Sequence, residues 1–153
     1  MSFWDLPNFE KTADRTDAFL RAQCTRLALR AGVRLIDISS PQLSFAPAHS
    51  NAVNHIENNL QNGLEAIEAL QAIRYTMDRT AGISPRILIA IYLKHDYAWH
   101  IEQEYCINHN AYPRLRKAAL NQFADCWEKT QDVYGWAQED RVHLHVYDEE
   151  REQ

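Results

Sequence analysis

The sequence predicts a mainly α protein: a helical N-terminal part, a helix-turn-helix in the C-terminal half, and one short strand near the end. Three observations predict it. Apolar residues recur at three- and four-residue steps through the longest segments. Residues 105–123 carry Arg114, Arg116 and Lys117 without one Asp or Glu, on the second half of a helix-turn-helix spacing. Residues 141–148 alone alternate apolar and polar side chains with a period of two.

Composition bounds the rest. The chain has 153 residues, 46% of them apolar, which suffices for one domain or a small domain with appended helices. A mean hydropathy of -0.50 and the lack of a long apolar run exclude a membrane span. Residues 1–9 show no basic start followed by an apolar stretch, so no signal peptide is read. The three cysteines, Cys24, Cys106 and Cys126, are odd in number and widely spaced. They point to reduced thiols and a cytoplasmic location. Net charge is -5, but it is unevenly placed. Residues 1–85 hold 8 basic and 9 acidic side chains, residues 86–130 hold 6 and 5, and residues 131–153 hold 2 and 7. Screening confines each charge to a neighbourhood of roughly 8–10 Å. An acidic tail therefore does not exclude a phosphate partner elsewhere.

Five segments follow in order: an N-terminal arm and helix (1–38), a linker (39–50), a long amphipathic helix (51–82), a helix-turn-helix (83–130), and a strand with an acidic tail (131–153). Phe3, Trp4, Leu6 and Phe9 around Pro7 form either an apolar arm docked on the body or a frayed terminus. Residues 14–31 read as a helix stopped by Gly32. Leu35–Ile38 reads as a strand or a bridge. Residues 51–79 carry Val53, Ile56, Leu60, Leu64, Ile67, Leu70 and Ile73 as one stripe, which is domain core or the seam of a homodimer. Gly82-Ile83-Ser84-Pro85 is a turn, with Ser84 as cap and Pro85 in the first helical position. Asp96 caps a short helix through Ile101 to Tyr105. A third helix runs from about Asn110 to Thr130.

The helix-turn-helix carries the functional expectation. Ile101 and Tyr105 lie on its first helix, Ile107 plugs the turn, and Tyr112, Leu115, Ala119 and Phe123 share one face of the second. Asn110, Pro113, Arg114, Lys117 and Asn121 fall opposite, with Arg116 at the edge. Asn and Arg are the side chains that read adenine and guanine edges bidentately. Asn110, Arg114, Lys117 and Asn121 are expected to face bases, and Lys94, His109 and Arg116 to touch phosphates. Glu102 stands where a small residue lets such helices approach, so it is expected to swing outward. Cys106 stands where glycine relaxes the turn, and is expected to keep a negative φ. With Asn110 as cap, Pro113 is the third helical residue, where its missing N–H costs little.

Residues 87–127, with Tyr112-x-Arg114-Leu115-Arg116-Lys117 and Ala119-Leu120-x-x-Phe123-Ala124, resemble the ArpU-type phage transcriptional regulators (the autolysin regulatory protein family). Leu43-Ser44-Phe45 before the long helix, and the short apolar strand near the end, extend the resemblance over most of the chain. Pro113 stands where that family commonly has an aromatic residue. These proteins are similar to region four of bacterial sigma factors and occur in phages and prophages of Gram-positive bacteria. The resemblance implies a sigma-like helix-turn-helix and a late-gene transcription regulator that binds promoter double-stranded DNA with host RNA polymerase. The other reading is a phage DNA-packaging or assembly adaptor built on the same motif.

No further chemistry is expected. His143 and His145 read as an exposed strand face and not a metal site. His95, His100, His109 and Cys106 are irregularly spaced, and no catalytic triad is legible, so neither a catalytic residue nor a cofactor is expected. Trp99, Trp127 and Trp136 read as core. The tail from Asp148 reads as a solvated end, or as a phosphate mimic competing for the basic helix.

Overall fold

Asn8 starts the first helix. Its side-chain oxygen accepts the Lys11 N–H at 2.8 Å, and α1 (Phe9–Ala31) runs from there to Gly32. Gly32 takes φ 72 and returns its N–H to Ala28 O, the left-handed stop expected of it. The helix thus begins five residues before the predicted start, because Asn8 caps it and Asp14 lies on its exposed side. The computed structural model describes residues 3–40 and 57–148, and only the backbone of 57–62. Val53, Ile56 and most of the predicted linker lie outside the described residues, as does the tail beyond Asp148.

Leu35–Ile38 forms one short helix, α2, and not a strand. Ile38 is buried, and Arg74 Nη1 donates to its carbonyl at 2.6 Å. That bond fixes α2 on α3 (Glu57–Asp78). On α3 the buried positions are Ala66, Leu70, Ile73 and Met77, with Ala72 and Thr76 beside them. The described half of the predicted stripe is therefore core at Leu70 and Ile73, while Leu64 is exposed.

α4 (Ser84–Tyr92), α5 (Ala98–Glu104) and α6 (Tyr112–Tyr134) complete the order. Ser84 is the first residue of α4, buried, and not its cap; Ile83 holds that place. Asp96 does not cap α5 either. Its oxygens take the adjacent Tyr97 N–H and face His100 Nδ1, while Tyr97 occupies the cap position. α6 and α1, each 23 residues long, are the longest helices of the core. α6 packs on α1, α4 and α3, and α1 packs on α3. One apolar cluster spans them, with Leu20, Leu70, Ile73, Met77, Leu88, Leu120 and Phe123 at 0–1% exposure. Burial of such side chains contributes roughly 1.5–3 kcal/mol each.

No strand occurs among the described residues. Residues 141–148 carry no regular secondary structure, and no second strand pairs with them among the described residues. Two side chains and the Asn8 backbone N–H take its place. Gln131 accepts the Val142 N–H at 2.7 Å and donates to Val142 O at 3.1 Å. Thr12 Oγ1 accepts the Val146 N–H at 3.0 Å, and the Asn8 N–H donates to Val146 O at 2.7 Å. Leu144 between them is buried. The alternation that predicted a strand is real, but it docks a strap across α1 and α6.

Candidate nucleic-acid interface

The turn between α5 and α6 is built by backbone bonds. The Cys106 N–H reaches Gln103 O at 3.5 Å, and the Ile107 N–H reaches Glu102 O at 2.8 Å. Those two bonds around a left-handed residue form a Schellman turn. Cys106 is that residue, with φ 56, so it takes the glycine-like conformation and not the expected negative φ. Asn108 then folds the loop. Its side-chain oxygen accepts the Asn110 N–H at 2.8 Å, and its carbonyl accepts from Ala111 and Tyr112. Ala111 is the cap of α6, one residue later than predicted, and Pro113 is the second helical residue. Its missing N–H is there among the unpaired ones of any first turn.

This path exposes Asn108, His109, Asn110, Pro113 and Arg114 together. Behind them, Ile101, Tyr112, Ala119 and Phe123 are buried, and Tyr105, Ile107 and Leu115 are half-buried against the core. α5 packs chiefly on α4. Glu102 does not swing outward. It is half-buried, and its carboxylate lies 3.1 Å from His109 Nδ1, tying the loop back to α5. Lys94 and His95 are exposed in the link before α5, where His95 also adopts a left-handed φ of 54.

The remaining predicted contacts are turned away. Arg116 Nη2 donates to Asp17 Oδ1 on α1 at 2.9 Å. Lys117 Nζ pairs with Glu10 on the same helix. Asn121 Nδ2 donates to Phe9 O at 3.0 Å and to Lys117 O. These three side chains dock α1 on α6 and do not form an open basic face. The cause is a rotation of the buried arc. Leu120, Ala124 and Trp127 are buried as well as Phe123, so the centre of the arc lies roughly 60° from the expected one at 100° per residue. Arg116 then sits within the arc and Lys117 at its border, while Asn121 lies farther round and is drawn in by its bond to Phe9 O.

The charges at this seam are mutually adjusted. Burial raises the Asp17 carboxyl, but hydrogen bonds from Tyr92 and Arg21 and the charges of Arg116 and Arg21 outweigh it. The net result is a carboxyl held below its ordinary range. Burial and the Asp17 contact push the Tyr92 hydroxyl up. Burial alone takes the Cys24 thiol to about 12, so that cysteine is an inert core residue.

Three features were not legible in advance. Trp99 is exposed, not core, and stacks on exposed Tyr97 with centroids 6.5 Å apart. His143 and His145 face Glu128 and Asp125 on α6 and fasten the strap. Asp96, His100 and Glu104 bring one ligand atom each within 4.8 Å of one another, a grouping that ion pairing at four-residue steps accounts for. No family model matches this chain, and no curated protein or solved structure matches it either.

Proposed function

We propose that the protein binds double-stranded DNA through the loop and first turn of α6 and regulates transcription of phage or prophage late genes alongside host RNA polymerase. One observation supports this most. His109, Asn110 and Arg114 stand exposed together at the start of the second helix of the candidate helix-turn-helix, the place where such motifs meet base edges. Arg114 and Asn110 would read bases, and Lys94 and His109 would meet phosphates. Lys117 and Asn121 are left out of the base-reading set, and Arg116 out of the phosphate set, since α1 holds them.

The test is a mobility-shift titration on duplexes from upstream of late genes in the phage or prophage that carries this chain. Arg114→Ala should weaken specific binding by about 1–3 kcal/mol while leaving the melting temperature unchanged. Equal binding by the wild type and the Arg114→Ala, Asn110→Ala double variant would remove this surface from consideration.

A further inference from the structure

We infer that α1 carries a built-in competitor for DNA phosphate: Glu10 holds Lys117 as a phosphate would, and Lys117 becomes a backbone contact only when DNA displaces that carboxylate. The inference rests on the reading that the start of α6 meets DNA. It concerns how far along α6 the contact extends and what limits it.

Two acidic residues of α1 meet two cations of α6, and the pairs differ in kind. Asp17 and Arg116 are largely enclosed, with side-chain exposures of 23% and 25%. Asp17 also accepts from Tyr92 and Arg21, so three helices converge on one carboxylate. This pair is a fixed strut. Glu10 is 62% exposed and Lys117 32% exposed, and Glu10 pairs with no second cation among the described residues. An exposed pair of this sort is worth only about 0–1 kcal/mol, so an incoming phosphate can replace one member. Lys117 lies three residues, or nearly one turn, beyond Arg114. A backbone running over the first turn of α6 would therefore pass beside it.

The exchange needs no movement of α1. The Asp17 strut holds the helix body, and the strap holds its start: Asn8 N–H on Val146 O at 2.7 Å, and Asn8 Nδ2 on Asp148 at 2.9 Å. Only the Glu10 and Lys117 side chains rearrange. Asn121 stays on Phe9 O and keeps the start of α1 in register. Glu10 thus sets how much of α6 is available to a polyanion, and it penalises non-specific backbone binding more than base reading.

The experiment compares the full chain, Glu10→Gln, and Glu10→Gln with Lys117→Ala, on a short random-sequence duplex across a salt series. Glu10→Gln should bind about two- to five-fold tighter at low salt. Its log–log salt slope should steepen by up to about 0.9, the value of one phosphate contact, which the wild type makes only where DNA has displaced Glu10. The double variant should lose that gain and fall to the wild-type slope or below it. If the wild type binds and loses affinity with Arg114→Ala, yet Glu10→Gln changes neither affinity nor slope, the competitor is disproved and the DNA reading stands. Binding by Glu10→Gln alone would support the competitor in its strongest form. Absence of binding by all three at low salt would overturn both.

Discussion

Arg116 of α6 and Asp17 of α1 meet at 2.9 Å, on a carboxylate that also accepts the Tyr92 hydroxyl of α4 and the Arg21 Nε–H. A residue expected to touch phosphate is instead a strut between helices. Arg116→Ala should cost about 1–3 kcal/mol, because it leaves a half-buried carboxylate short of a charged partner. The pH dependence follows from the sign. The folded-state carboxyl is held below its unfolded value, so its contribution is complete above the unfolded value. It is lost as pH falls through the folded one. Asp17→Asn should therefore be less stable than the wild type at neutral pH and converge with it in acid. Denaturant melts across that range check this, and parallel curves for the two proteins would contradict it.

Phe123 and Leu115 separate the middle of the core from its border. Phe123 is fully buried and stacks on Trp127 with ring centroids 5.6 Å apart. Phe123→Ala should cost about 3–5 kcal/mol. Leu115 is only half-buried, so Leu115→Ala should cost about 1–2 kcal/mol, below the range for full burial. Equal losses in equilibrium unfolding would mean that the buried arc of α6 is centred nearer Leu115.

The helices were legible because their signals are local. Gly32 and Pro113 sit at helix ends, and Leu70, Ile73, Ala119 and Phe123 recur at helical steps. What was not legible depends on which helix lies alongside. A wheel drawn for α6 alone takes the strongest apolar stripe as the core and everything opposite as surface. α1 then arrives as a further neighbour of α6, and its Asp17 and Glu10 turn Arg116 and Lys117 inward. The same holds for 141–148. Alternation shows that the segment is extended, but not that Gln131, Thr12 and Asn8 will stand in for a partner strand. Of the seven residues expected at DNA, Lys94, His109, Asn110 and Arg114 are exposed, because they lie in the links before α5 and α6 or in the first turn of α6.

His100 should titrate above an ordinary histidine. Its Nδ1 lies 2.8 Å from Asp96, whose hydrogen bond and charge favour the imidazolium, and Glu104 adds to them. The folded pKa is raised, so this contribution is complete below the unfolded value and disappears as pH rises through the folded one. Asp96→Asn should bring the His100 midpoint back down. Imidazole proton shifts followed by NMR against pH report it directly, and a midpoint indifferent to Asp96 would show that the pair does not persist in solution.

Cys106 should be replaceable by glycine with a gain. Its φ of 56 lies in the left-handed region, where a Cβ crowds the following carbonyl at a cost of about 1–2 kcal/mol. Glycine removes that cost and gives back about 0.5–1 kcal/mol in unfolded-chain entropy. Cys106→Gly should therefore stabilise the protein slightly, by about 0.5–1 kcal/mol. Cys106→Val should do the reverse and by more, since a β-branched side chain tolerates this backbone worst. The side chain is exposed, so neither change disturbs packing. The consequence reaches the candidate interface, because the Ile107 N–H bond to Glu102 O closes the turn that leads into Asn108, His109 and Asn110. On the proposed reading, Cys106→Val should loosen that loop and lower DNA affinity along with the melting temperature, whereas Cys106→Gly should keep the affinity and raise the melting temperature slightly. A glycine variant less stable than the wild type in thermal melts would show that the left-handed turn is not the one the protein adopts.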